Sequence, residues 1–179
     1  WTATDDGTLL FVERSDQRVW LLPAGAAEPL PLTPADSGMR FGGLTWQHGL
    51  LLAVRESHRE DAPPVRDIVE IGLDGTLRSL VGGSDFVAHP ALSPDGRRLA
   101  WIAWNHPDMA WDRAELRVGR IESEGITEWT TLAGAASSAV QPEWVASDDL
   151  VYSDDPEGRW NLWRRHPLDA APAAVAPAD

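Results

Sequence analysis

Pro90-Ala91-Leu92-Ser93-Pro94-Asp95-Gly96-Arg97-Arg98-Leu99-Ala100-Trp101-Ile102-Ala103-Trp104 sets a tight turn directly before an apolar run. Pro, Asp and Gly each favour the chain reversal for their own backbone reasons, and the short aromatic-rich run behind them reads as a strand. The same figure recurs along the chain. Asp5-Asp6-Gly7 leads into Leu9-Leu10-Phe11-Val12, Gln47-His48-Gly49 into Leu50-Leu51-Leu52-Ala53-Val54, and Ser147-Asp148-Asp149 into Leu150-Val151-Tyr152. The turns are 42, 47 and 53 residues apart, counted from Gly7 to Gly49, Gly96 and Asp149. Periods of roughly 40–50 residues built from short strands are the mark of propeller blades.

The connections repeat as well. Leu80-Val81-Gly82-Gly83 precedes His89-Pro90-Ala91-Leu92, and Leu132-Ala133-Gly134-Ala135 precedes Gln141-Pro142-Glu143-Trp144, with Pro90 and Pro142 52 residues apart. Four strands fit each period: 88–92, 98–104, 114–121 and 126–132 in the third, and 41–46, 50–56, 66–71 and 76–81 in the second. Glu115 to Ile121 alternates polar and apolar residues as a half-exposed strand must, and no window has helical periodicity. The prediction is an all-β chain, a partial β-propeller of about four blades with four antiparallel strands each. The blades fall at about 1–34, 41–82, 86–134 and 138–177.

Composition narrows the function. The formal net charge is −13, which argues against nucleic acid and anionic membrane as partners. All fifteen basic residues are Arg. The absence of Lys excludes the phosphate-binding P-loop and Schiff-base chemistry in this span, and the absence of Cys excludes thiolate nucleophiles and Cys-based zinc sites. Ten Trp against three Phe and one Tyr imply a core with polar seams, because a buried indole N–H needs an acceptor. Trp20, Trp101, Trp144 and Trp163 lie in strands and are expected to pack between blades. Trp1-Thr2-Ala3-Thr4-Asp5-Asp6 reads as the middle of a longer chain, not as a signal peptide. With no signal or membrane-spanning run in this span, the expected location is cytoplasmic.

No catalytic machinery is legible. Gly82-Gly83-Ser84-Asp85-Phe86 lacks the last Gly of a nucleophile elbow and reads as a blade linker. His48, His58, His89, His106 and His166 have no metal-ligand spacing, and Asp148-Asp149 and Asp154-Asp155 do not match a calcium loop. Asp5, Asp74, Asp95 and these pairs read as turn formers. No catalytic residue, metal site or cofactor is expected. Pro63-Pro64 marks a long loop between the second and third strands of blade two.

One segment stands apart. Asn105-His106-Pro107-Asp108-Met109-Ala110-Trp111-Asp112 is a long insertion between strands two and three of blade three, where an ordinary hairpin needs about two to five residues. His106, Asp108, Met109, Trp111 and Asp112 are costly to expose unless they pack on something or bind something. They are the candidate cavity- or interface-facing residues.

Pro90 to Trp101 resembles the propeller repeat of the prolyl oligopeptidase family and of TolB-like proteins. Trp104 to Asp112 with Glu115-Leu116 resembles a segment of the acylaminoacyl-peptidase or dipeptidyl-aminopeptidase-like branch. Gln141-Pro142-Glu143-Trp144 and Arg159-Trp160-Asn161-Leu162-Trp163-Arg164 match its next blade. Ala110 stands where that branch favours Pro, and Val145-Ala146-Ser147-Asp148-Asp149 replaces its usual Ser-Pro-Asp-Gly turn. The resemblance implies a propeller that covers a C-terminal α/β-hydrolase domain and restricts access to a Ser-Asp-His triad. That catalytic domain is not expected within these residues. The implied role is a gating and substrate-filtering part of a serine peptidase acting on oligopeptides. The implied partners are the hydrolase domain and the peptide. Two readings compete with it: a TolB-like protein-binding module without activity, and a propeller enzyme with its site in the central channel.

Overall fold

The computed structural model describes residues 1–35 and 37–176; Pro177, the expected end of the fourth blade, lies outside them. Sixteen strands run in chain order among the described residues. They are β1 (Thr2–Ala3), β2 (Leu9–Val12), β3 (Val19–Leu22), β4 (Leu30–Pro31), β5 (Met39–Gln47), β6 (Leu50–Arg59), β7 (Ala62–Ile71) and β8 (Leu77–Gly82), then β9 (Phe86–Leu92), β10 (Arg98–Trp104), β11 (Glu115–Arg120), β12 (Trp129–Ala133), β13 (Val140–Ala146), β14 (Asp149–Asp154), β15 (Asn161–Arg165) and β16 (Ala173–Ala174). They form four antiparallel sheets of four consecutive strands. The chain is all-β and a partial β-propeller, as its periodicity predicts. The hairpin turns are built by the expected chemistry. Asp95 accepts from Ser93 Oγ (2.6 Å) and Arg97 N (3.1 Å), bonds that hold its carboxyl below the usual range, with Gly96 at φ +68°.

The described residues fall into two compact units, Trp1–Gly83 and a second starting at Ser84. In the first, Leu10, Val19, Leu32, Phe41, Leu51, Ala53, Val69 and Ile71 make one apolar core from both sheets. Trp46 N donates to Thr2 Oγ1 (3.1 Å), so these sheets approach each other at their first strands, β1 and β5. Within the second sheet Arg55 forks onto Asp67 (3.0 and 2.6 Å), and Ser79 Oγ donates to the same carboxylate (2.6 Å). Asp67 is 8% exposed, so all three bonds are needed to offset its desolvation.

The long loop expected at Pro63-Pro64 is absent. β6 and β7 run as a hairpin to a two-residue turn at Glu60-Asp61, with Asp61 at φ +58°, and both prolines lie in β7. β8 begins pairing with β7 only at Asp67, opposite Gly82. On that side the first residues of β7 form a free edge, where a missing N–H costs no ladder bond.

In the second unit Ala91, Ala100, Ile102, Ala114, Leu116, Val118, Ala139, Leu150 and Tyr152 form the core, with Trp104, Trp144 and Trp163 packed against it. Trp144 Nε1 donates to Ala91 O of the neighbouring sheet (2.9 Å), the polar seam expected of a buried indole. Two other strand tryptophans find acceptors nearer home: Trp163 Nε1 donates to Asp154 O (3.2 Å) and Trp20 Nε1 to Asp16 (3.2 Å). Trp101 departs from the expectation: it is fully buried edge-to-face on Trp129 of its own sheet (6.0 Å), and its Nε1–H has no acceptor among the described residues.

Three first strands carry the same irregularity. In β5, β9 and β13 two residues face one residue of the next strand: Gly43-Leu44 opposite Ala53, His89-Pro90 opposite Trp101, and Gln141-Pro142 opposite Tyr152. The leading residue is left-handed each time, Gly43 at φ +59°, His89 at +49° and Gln141 at +52°. This two-for-one bulge bends the strand and disrupts pairing along it.

Gly134, at φ +82°, closes β12 against the start of β11, and a methyl there would lie 1.8 Å from Ala114 O. Gly158, at φ +74°, has nothing within 4 Å of its would-be methyl. Gly158→Ala should therefore cost only the left-handed strain, about 1 kcal/mol. Gly134→Ala adds a backbone collision and should cost about 3 kcal/mol or more, lowering Tm by roughly 6–12 °C. Equal melting shifts for the two variants would refute this placement of Gly134.

Candidate functional site

The 105–112 segment leaves the end of β10 and returns at β11. Its start is clamped by Asp85, whose N–H donates to Asn105 Oδ1 (2.8 Å) and whose carboxylate accepts from His106 N (2.9 Å). Phe86 stacks on Trp104 (5.1 Å) and meets the edge of His106 (5.0 Å). The far end is tied to the linker between the third and fourth sheets. Ser138 Oγ donates to Ala110 O, and Ala139 N to Ala114 O (2.9 Å). Inside the segment Asp112 N donates to Met109 O (2.9 Å), and Asp112 Oδ2 accepts from Met109 N (3.2 Å). The loop is thus pinned at both ends, on the face where the linkers before and after the third sheet run.

His106 and Asp108 line a cavity of about 320 Å³ with Arg113, Glu115 and Arg117. Met109, Trp111 and Asp112 do not. Trp111 is 66% exposed and Met109 41%. The cations of the cavity differ. Arg117 is buried and engaged with Glu115 (2.9 Å), Ser84 Oγ (2.9 Å) and the face of Trp129 (5.1 Å). Arg113 is exposed and meets Asp108 only at 3.8 Å. Asp85, Arg113, Glu115 and Arg117 escape sequence reasoning because nothing in their spacing shows that they converge. Ser84, weighed above as a nucleophile, is held by Arg117 in the linker it was expected to occupy.

A second group lies on the inner strands. His89 Nδ1 accepts from Gln141 N (3.3 Å), joining the bulges of β9 and β13, and burial of the ring holds its pKa below that of an ordinary histidine. The repeated X-Pro at 89–90 and 141–142 was the available signal for this pair. Among the described residues, no three His, Asp or Glu side chains converge as a metal site, and no helix is long and apolar enough to cross a membrane.

Sheets of four consecutive antiparallel strands, converging at their first strands within each unit, define the class: a β-propeller segment. Among solved structures it is similar to a puromycin-hydrolyzing peptidase of Mycobacterium tuberculosis, at 33% identity over 98% of this chain and 30% of that one, with a TM-score of 0.88. It is also similar to a puromycin hydrolase, at 29% identity over 99% of this chain and 30% of that one, with a TM-score of 0.85. A TolB protein of Agrobacterium tumefaciens shares the fold at 17% identity, over 97% of this chain and 63% of that one, with a TM-score of 0.65. No family model matches the chain, and no curated protein matches it. The expected likeness to peptidase propellers of the prolyl oligopeptidase family, and to TolB-like propellers, is borne out. The chain spans under a third of the peptidases it resembles.

Removing the clamp should free the loop without unfolding the sheet. Asp85→Ala should cost about 1 kcal/mol and speed hydrogen exchange and proteolysis within 105–112 by roughly fivefold or more. Unchanged exchange there would show that other contacts order the segment.

Proposed function

We propose that this chain is a non-catalytic, gating and substrate-filtering propeller part of a serine-type peptidase acting on oligopeptides. The similarity to puromycin-hydrolysing peptidases over nearly the whole chain carries the reading. One such structure is a puromycin hydrolase mutant complexed with PGG. The partner in this reading is a C-terminal α/β-hydrolase domain of the parent protein, located in the cytoplasm. His106, Asp108, Met109, Trp111 and Asp112 turn toward that domain or the cavity it encloses. Two observations support this role for the loop. It shares a face with the blade linkers, and it is anchored at both ends while Trp111 stays two-thirds exposed. A rigid loop holding an indole in water suits a surface that meets something else. The TolB likeness is one of fold alone at this identity.

Trp111→Ala and Asp112→Ala in the protein that carries this chain should change kcat/KM or peptide-length preference several-fold. Tm should stay within about 2 °C, as expected for exposed positions. Wild-type kinetics with a large drop in Tm would reduce the loop to packing. A wild-type protein that fails to hydrolyse aminoacyl and acyl-aminoacyl chromogenic substrates would overturn the peptidase reading in favour of a binding module.

A further inference from the structure

The inner edge of the second unit retains strain at two positions, each of which glycine would relieve. The leading bulge position is left-handed in three strands, and glycine fills it without penalty in β5. In β9 and β13 the same position holds His89 and Gln141, side chains that this backbone disfavours. His89 uses only one ring nitrogen, as the acceptor for Gln141 N. Both residues reach solvent, with the His89 ring partly buried, and the Gln141 carboxamide makes no hydrogen bond among the described residues. Strain kept where glycine would remove it points to a use for the side chain.

The geometry says what that use is. With Nδ1 accepting from Gln141 N, the neutral ring carries its proton on Nε2, which has no partner among the described residues. His89 therefore offers a donor, and the Gln141 carboxamide offers a donor and an acceptor. Pro90 and Pro142 follow directly, and proline has no N–H to lend to an added strand. At each proline a chain lying along this edge finds no main-chain donor, so a donor there has to come from a side chain. Burial keeps the imidazole below its ordinary pKa, so the pair is uncharged near neutral pH and suits a neutral polar group.

We propose that His89 and Gln141 form a binding site for the main-chain amides of a peptide, on the inner edge of the third and fourth sheets. The choice of a peptide rests on the peptidase reading above; the choice of a neutral amide rests on the pair itself. The ligand's carbonyl accepts from His89 Nε2–H, and an adjacent peptide group pairs with the Gln141 carboxamide.

The test uses the protein that carries this chain, with acetyl-Ala-Ala-Ala-Ala-amide as the probe, because its blocked ends leave only amides to recognise. His89→Gly and Gln141→Gly should each raise its Kd about fivefold, the loss expected for one hydrogen bond. Tm holds or rises in Gln141→Gly, where strain is released and no bond is lost. In His89→Gly the released strain is set against the lost bond from Gln141 N. Gln141→Asn keeps the carboxamide, suits a left-handed backbone and should retain more of the affinity than Gln141→Gly. Unchanged Kd in both glycine variants would overturn the site. So would a fall in the Tm of Gln141→Gly that accompanies its weaker binding, which would make that carboxamide structural. Turnover of an aminoacyl chromogenic substrate is read alongside. A wild-type protein that turns it over but does not bind the blocked peptide retains the peptidase reading and loses this site.

Discussion

An antiparallel sheet satisfies its backbone only between strands, so each four-stranded sheet ends in two edges of unpaired N–H and C=O groups. The inner edge is the more demanding one, because neighbouring sheets of a unit crowd together there. In the first unit Trp46 N reaches Thr2, and in the second Gln141 N reaches His89 and the Trp144 indole reaches Ala91 O. Side-chain acceptors and stray carbonyls thus replace a ladder. The bulge in β5, β9 and β13 serves the same constraint, bending each first strand opposite a buried residue of the second. The apolar cores then fill the space behind these inner strands.

The architecture was legible because its determinants are local. An Asp-Gly turn shows which way it bends the chain, and the recurrence of such turns shows how often a sheet begins. Pro63-Pro64 misled for a reason of context. Proline is excluded from a strand only where a ladder bond is required, and whether β8 reaches that far depends on the register of a distant hairpin. The strand tryptophans divide similarly. Trp144 bridges sheets as expected, but whether an indole faces a neighbouring blade or its own sheet depends on packing that alternation along a strand cannot reveal.

The loop at 105–112 stood out through its length and residue types alone. Its clamp did not, since Asp85 lies some twenty residues earlier in the chain and reads as an ordinary linker aspartate. His89 and Gln141 stayed hidden because a left-handed backbone leaves no mark on a residue's name. Glycine would have advertised the bend, as Gly43 does, and the side chains that make the position interesting also disguise it.

The uniform use of arginine has a consequence for the acid–base life of the fold. The Arg55–Asp67–Ser79 knot, the Arg117 contacts and the Arg164–Asp149 fork all rest on guanidinium groups. In the Arg164–Asp149 fork each partner holds the other charged: the hydrogen-bonded carboxylate raises the guanidinium's pKa, and the guanidinium holds the carboxyl below its usual range. Rising pH therefore leaves that fork intact, where a lysine in the same place would release its proton. Acid alone opens it, by protonating Asp149.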